Sequence, residues 1–176
     1  MKRGFYNILA AQFLSSLADN ALLIAAIALL ATLHAPDWMT PLLKLFFVVS
    51  YVGLACWVGI FADLMPKGHV MFITNAVKAV GCILMLFGSH PLLSYAIVGI
   101  GAAAYSPAKY GILTELLPPE KLVVANGWIE GLTVVSIILG VVLGGVLISP
   151  DVAAFILHSL RLENVGLTNH AEAAIA

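Results

Sequence analysis

Long apolar runs recur along the chain and are separated by short polar gaps. A helix needs about 20 predominantly apolar residues to cross a hydrocarbon core about 30 Å thick. The first run is also too long for the apolar core of a signal peptide, so it should stay as a helix. The pattern therefore predicts an all-α integral membrane protein with five spanning helices, at Phe5–Ala31, Pro41–Ala62, Val70–Gly88, Pro91–Leu113 and Leu122–Ile148.

Residues that break helices stand in each gap, which predicts short connections between the spans. These residues are Pro36, Pro41, Pro66, Gly68, Pro91, Pro118 and Pro119.

The end of the sequence differs from the rest. Residues 1–150 read as a partial N-terminal membrane domain, whereas 151–176 contain one short apolar stretch followed by polar residues. An odd number of helices leaves polar groups inside the membrane without the partners that lipid cannot supply. We therefore expect a polar tail and a chain that stops before a sixth helix; the alternative is a five-helix protein that completes its bundle by oligomerising.

Composition narrows the class of protein. The chain is 62% hydrophobic and 10% charged, against about 45–50% and 25% in soluble domains. Its net charge of −1 gives a nucleic acid no basic surface to bind. No nucleophile elbow, metal-binding histidine pair or cysteine pair is present, so neither an enzyme nor a metal site is predicted.

Basic residues next to the helix ends predict the orientation in the membrane. They are Lys2, Arg3, Lys67 and Lys121. The loops at 35–40 and 89–90 carry no Lys or Arg. The distribution predicts a cytoplasmic N-terminus in a multi-pass membrane protein.

The first helix carries Asp19 and Asn20 deep in the hydrocarbon layer, about 21 Å along the helix from Phe5. A carboxylate at this depth costs roughly 2.5–3.5 kcal/mol and normally faces a cavity, an ion or a basic side chain. We predict that Asp19 and Asn20 handle a substrate or a coupling ion; the alternative is an acid satisfied by neighbouring helices.

The fourth helix places Lys109 two residues after Pro107 in a region rich in glycine and alanine. The small residues permit close helix packing, and the proline removes a backbone donor, which predicts a kink beside a cation. Lys109 is predicted to face a cavity and accept a phosphate or a carboxylate. The alternative is a lysine that extends to the headgroups.

The fifth helix has Asn126 and Glu130 on one face and Gly127 and Gly131 on the next. Glu130 lies about 12 Å into the helix, which favours a role in the cavity for this pair. Other polar residues inside the spans are Lys44, Asn75 and Lys78. The two lysines lie near the ends of their segments, so we rank them behind Asp19, Lys109 and Glu130.

The connection between the second and third helices is a candidate gating loop formed by Gly59, Asp63, Lys67 and Gly68. The glycine one turn before Asp63 would let a helix approach closely, where the carboxylate can meet a helix N-terminus or a basic group. A solvated turn is the competing interpretation.

Several segments resemble the bacterial lysophospholipid transporters of the major facilitator superfamily. They are AAQFLSSLADNALL (Ala10–Leu23), KGHVMF (Lys67–Phe72), GAAAYSPAKYGILTEL (Gly101–Leu116) and KLVVANGWIEG (Lys121–Gly131). The sequence departs from the superfamily pattern at Leu64, where a basic residue usually follows the acid, and at His69, where Arg or Lys is usual.

The resemblance implies a transporter of about twelve helices, of which this chain holds the N-terminal part. It implies movement of lysophosphatidylethanolamine and lysophosphatidylglycerol to the inner leaflet for reacylation by an acyltransferase. Asp19 would be the membrane acid and Lys109 the membrane cation. Because substrate sites lie between the two halves, the chain alone should not transport. No cofactor is implied, and the identity of any coupling cation stays open.

Two other functions are compatible with the residues. One is a different permease of the superfamily, such as a drug–proton antiporter, although the fifth helix lacks the Gly-Pro pair of that group. The other is a small five-helix scaffold subunit.

Overall fold

The computed structural model describes residues 3–159, which are almost entirely helical and contain no strand. Five of the helices in this part of the chain are long and apolar enough to cross a membrane. The predicted all-α membrane fold is therefore confirmed. The helices are α1 (Arg3–Thr32), α2 (Met39–Leu64), α3 (Lys67–Leu86), α4 (Pro91–Leu116), α5 (Pro119–Ile148) and α6 (Pro150–Ser159).

The residues predicted to break helices lie at helix ends. Pro91 and Pro119 are the first residues of α4 and α5, where the missing backbone donor has no partner to lose. Gly88 follows α3 with a φ of 81°, a left-handed conformation that side chains with a Cβ rarely adopt. Pro107, by contrast, lies inside α4, and the helix continues through it.

Helix α4 occupies the centre of the bundle and packs along both α2 and α3. Helix α1 packs mainly along α5 and makes a smaller contact with α4. The described chain therefore consists of two helix groups, α2–α3–α4 and α1–α5, that meet where α1 crosses α4. This boundary contains most of the intramembrane charges.

Glycines set the closest approaches between helices. A Cβ added at Gly101 would lie 2.7 Å from the carbonyl oxygen of Thr74 in α3, and one at Gly99 would lie 2.9 Å from Cα of Phe47 in α2. Both distances are shorter than ordinary van der Waals contact. The prediction that these small residues permit close packing is confirmed.

Gly59 makes no such close approach within the described part of the chain. A Cβ added there would meet no atom of the described residues within 4 Å. Nor would one added at Gly127 or Gly131 of α5. No helix among α1–α6 therefore packs closely against these three glycines.

Helix α6 begins where a polar tail is predicted. Its ten described residues extend about 15 Å. Residues 160–176 lie outside the described part of the chain, so the division at residue 150 stays a prediction.

Candidate functional site

Two cavities open beside Asp19 at the boundary between the helix groups. The Tyr95 cavity, of about 280 Å³, is lined by residues that include Asp19, Asn20, Lys44 and Tyr95. The Tyr105 cavity, of about 120 Å³, is lined by Asp19 and by residues that include Gln12, Lys78, Tyr105, Ser106 and Lys109. Asp19 thus lines both cavities.

Asp19 forms an ion pair with Lys78 in the middle of the bundle. The Lys78 Nζ lies 2.5 Å from Oδ2 of Asp19, and the side chains are 9% and 18% exposed, respectively. Asp19 is the seventeenth of the 30 residues of α1, which places the pair near the centre of the spanning helix. The prediction that Asp19 needs a partner at this depth agrees with this geometry.

Lys78 does not extend to the headgroups, contrary to the expectation on which its low ranking rested. Its ammonium donates to Ser15 Oγ at 2.9 Å as well as to Asp19, and it lies 5.2 Å from the centre of the Tyr105 ring. Ser15 in turn donates to Asn75 Oδ1 at 2.9 Å. A polar network of four side chains therefore joins α1 to α3 inside the apolar bundle.

Other polar side chains of α1 are also engaged. Gln12 donates from Nε2 to Thr133 Oγ1 of α5 at 3.0 Å, which links α1 to its main packing partner. Asn20 donates to the carbonyl oxygen of Ser16 one turn earlier at 2.8 Å. Asn20 therefore lines the Tyr95 cavity without bonding to another helix.

Lys109 faces the Tyr105 cavity, as the sequence predicts, and its side chain is 7% exposed. Its Nζ lies 3.7 Å from Oε1 of Glu130 and 4.4 Å from the centre of the Tyr110 ring. The same Glu130 oxygen accepts a hydrogen bond of 2.5 Å from the Tyr110 hydroxyl. Glu130 therefore balances the charge of Lys109 while its hydrogen bond goes to Tyr110.

Glu130 and Asn126 lie on the outer side of α5. The Glu130 side chain is 56% exposed, and Asn126 is exposed one turn earlier. Neither residue lines either of the two cavities. The structure brings Glu130 to Lys109 but leaves Asn126 apart from the other candidates.

The candidate gating loop is held by Lys67. Its ammonium donates to Asp63 Oδ1 and to the carbonyl oxygen of Ala62, both at 2.6 Å, and its aliphatic chain lies near Gly111 of α4. The expected contact of Asp63 with a basic group is thus present, although the Asp63 side chain is 83% exposed. A Cβ added at Gly68 would meet no described atom within 4 Å.

The arrangement gives an apolar bundle two internal cavities bordered by charges of both signs. Asp19 supplies an acid between them, and Lys78 and Lys109 supply cations on one side. Charges at this depth are costly unless they are paired or serve a cavity. Such a site suits a ligand with a polar or charged group.

Similar proteins were found by sequence. The relatives include the lysophospholipid transporter LplT of Yersinia enterocolitica, 50% identical over 147 residues, which are 84% of this chain and 36% of that protein. Those of Serratia proteamaculans and Enterobacter sp. strain 638 are 48% and 51% identical, over 84% and 82% of this chain and 37% and 36% of their own. The chain thus spans little more than a third of the length of these curated relatives. No solved structure matches it.

The family model described as Major Facilitator Superfamily matches residues 8–160, which include most of α1, all of α2–α5 and the residues that line both cavities. The resemblance identified in the sequence is confirmed at this level, and the chain belongs to the major facilitator superfamily.

Proposed function

We propose that this chain supplies the N-terminal helices of a transporter that moves lysophospholipids, chiefly lysophosphatidylethanolamine and lysophosphatidylglycerol, across the bacterial inner membrane. The observation that carries the proposal is the pair of cavities with charges of both signs inside an apolar bundle. The names of relatives about 50% identical to most of this chain support it.

The chemistry of a lysophospholipid fits these surfaces. Its headgroup joins a phosphate to a charged or polar group, which needs a few polar residues in a cavity, and its single acyl chain needs an apolar wall. Lys109 is the cation that would meet the phosphate. Asp19 would meet a cationic amine, with Asn20 beside it on the Tyr95 cavity.

Glu130 would partly neutralise the charge of Lys109 and so set how strongly Lys109 attracts a ligand. The exposed Asn126 would contact the ligand from the same face of α5. In the gating loop, the Asp63–Lys67 pair would hold the end of α2 to the start of α3, while Gly59 and Gly68 leave space for another helix. These roles belong to the proposal of a transporter rather than an enzyme.

The orientation follows from the same proposal. Basic residues beside one set of helix ends favour a cytoplasmic N-terminus, and lipid delivered to the inner leaflet would be available to an acyltransferase on that side. No cofactor enters the proposal, and a coupling cation would be carried through Asp19.

A chimera tests the function directly, because substrate sites in such transporters lie between halves and this chain spans about a third of its relatives. The 147 aligned residues of the Yersinia enterocolitica transporter are replaced by those of this chain, and the product is reconstituted in liposomes. Transfer of labelled lysophosphatidylethanolamine between leaflets is then measured, with the unmodified relative as control.

We expect the chimera to transfer the lysolipid at a rate within about tenfold of the parent, since roughly half of the exchanged positions are identical. A folded chimera that transfers a cationic dye in exchange for protons but no lysolipid would support the antiporter alternative instead. Failure to transfer either would contradict the proposed function.

A further inference from the structure

The acid proposed to meet a cationic amine already has a cation of its own. Lys78 donates to Oδ2 of Asp19, and the two side chains are only 9% and 18% exposed, respectively. Asp19 nevertheless lines both cavities, so a ligand in either cavity lies beside it. Such a ligand therefore meets an ion pair whose charges cancel, and not a free carboxylate.

Contacts that do not involve Asp19 also hold Lys78 in place. Its ammonium donates to Ser15 Oγ at 2.9 Å and lies 5.2 Å from the centre of the Tyr105 ring. Its aliphatic chain packs against Gly101 of α4, where an added Cβ would lie 2.7 Å from Cγ of Lys78. A carboxylate has two oxygens, and Lys78 donates to one of them. A ligand ammonium can therefore bond the other oxygen of Asp19 while Lys78 stays.

The same pair also affects an anion in the Tyr105 cavity. Asp19, Lys78 and Lys109 all line this cavity, whose volume is about 120 Å³. A space of about four water molecules leaves a phosphate beside Lys109 no room to lie far from the Asp19 carboxylate. Like charges so close together in a poorly solvated site repel each other strongly. Lys78 offsets this repulsion, because its positive charge lies directly beside Asp19.

Headgroups of different charge depend differently on this offset. A phosphoethanolamine headgroup carries an ammonium, which can bond Asp19 while the phosphate meets Lys109. A phosphoglycerol headgroup carries the same phosphate and no positive charge, so nothing on it would compensate an unpaired Asp19. Specificity is a difference of affinities and is often set by a repulsive element. In this site Asp19 is the repulsive element, and Lys78 suppresses it.

We propose that Lys78 sets the headgroup specificity of the site. By neutralising Asp19, it lets one site accept an anionic phosphoglycerol headgroup as well as a zwitterionic phosphoethanolamine headgroup. Without Lys78, the site would accept only headgroups that carry an ammonium. Lys78 acts through Asp19 and not by contact with the ligand. The inference rests on the proposed function, since it concerns the headgroups that the same site takes.

Headgroup binding by the full 176-residue chain tests this role. The chain is purified in a maltoside detergent, which carries no phosphate, and is kept at pH 8, which favours the ionised form of a carboxylate. It is titrated with glycerophosphoethanolamine and with glycerophosphoglycerol while ³¹P line broadening is recorded. The two probes share the glycerophosphate, and only the first carries an amine.

Two lysine substitutions are compared. Lys78→Met removes the charge and keeps an unbranched side chain of similar length. Lys121→Met is the matched control, because Lys121 is exposed and lines neither cavity. Both variants lower the charge of the chain by one, so a difference between them belongs to the site.

We expect Lys78→Met to weaken glycerophosphoglycerol binding at least about tenfold and to keep or raise the affinity for glycerophosphoethanolamine. The reason is that an unpaired Asp19 repels the first probe and attracts the amine of the second. Lys121→Met should change neither affinity. An unchanged ratio of the two affinities in a folded Lys78→Met chain, equal losses for both probes, or a parent chain that binds neither probe would overturn the inference.

The combination of Asp19→Asn with Lys78→Met covers a single variant that does not fold, because it leaves no uncompensated charge. It should bind glycerophosphoethanolamine at least about tenfold more weakly than the parent and keep its affinity for glycerophosphoglycerol, which is the opposite change in the ratio. A purely structural role for Lys78 would affect both probes alike. Loss of glycerophosphoglycerol binding in the double variant would mean that Lys78 binds the phosphate itself, which contradicts a role through Asp19.

The chimera keeps this result separate from the proposed function. Lysolipid transfer by the chimera, together with an unchanged affinity ratio in Lys78→Met, would reject the role of Lys78 and keep the transporter. A ratio that depends on Lys78, together with a chimera that transfers no lysolipid, would reject the proposed function and leave the role of Lys78 in headgroup binding.

Discussion

At the scale of residues, the central feature is a carboxylate and an ammonium paired inside a membrane bundle. Asp19 and Lys78 come from helices α1 and α3, which otherwise touch little. Lys78 also bonds Ser15, so the pair is part of a network rather than an isolated contact. Pairs of this kind are costly to break by removing one partner, since the other remains as an uncompensated buried charge.

A double-mutant cycle measures this coupling. Asp19→Asn and Lys78→Met should each lower the free energy of unfolding by about 3–5 kcal/mol, whereas the double variant should lose much less than the sum. The measurement is unfolding of the chain in detergent, followed by helical circular dichroism. Additive losses would mean that the two charges do not depend on each other.

The sequence alone identified Asp19 as a member of this pair but did not identify Lys78. The depth of Asp19 is readable from its position in an apolar run, because distance along a helix follows from the sequence. The role of Lys78 is not readable in this way, because distance from a helix end says nothing about which helix faces the residue.

At the scale of elements, the glycines of α5 fall into two classes. A Cβ added at Gly140 would lie 2.5 Å from the carbonyl oxygen of Leu17 in α1, and one at Gly144 would lie 2.9 Å from that of Ala21. Gly131 has no described atom within 4 Å of such a Cβ. The same residue type thus sets helix packing at one end of α5 and leaves an open surface at the other.

A matched pair of substitutions on this helix tests the packing. Gly140→Ala should destabilise the chain, because the new methyl group meets α1 backbone that cannot move without separating α1 from α5. Gly131→Ala should be neutral or stabilise by about 0.5–1 kcal/mol, the helix preference of alanine. Thermal unfolding in detergent compares the two; equal effects would contradict the close contact at Gly140.

The helices were the part of this fold that could be predicted best from the sequence. Run length and prolines gave five helices whose ends lie near the observed ones, because a membrane requires long uninterrupted apolar helices. Glycine spacing predicted packing only in part. It marks surfaces that permit close approach, but Gly59 and Gly131 show that it does not say whether a described helix uses them.

At the scale of the whole molecule, α1 connects two helix groups and carries the acid between the two cavities. Both cavities are bordered by α1 and α4, so a change in the angle between these helices would alter both. The α2 face with Gly59 and the α5 face with Gly127 and Gly131 meet no described helix within 4 Å of an added Cβ. Under the proposed function, these are the faces where further helices would pack.

The measurement that tests the central claim most directly is lysophosphatidylethanolamine transfer by the chimera carrying Asp19→Asn. The matched control is Asp37→Asn, the same change at an exposed carboxylate between α1 and α2. The combination of Asp19→Asn with Lys78→Met covers the case in which the single variant fails to fold, because it removes both charges together.

We expect Asp19→Asn, alone and with Lys78→Met, to reduce the transfer rate at least about tenfold, the loss that follows from removing one charged interaction of about 1.5–3 kcal/mol. Asp37→Asn should transfer at the parent rate. Unchanged transfer by a folded Asp19→Asn chimera would contradict the assignment of Asp19 to the transport site.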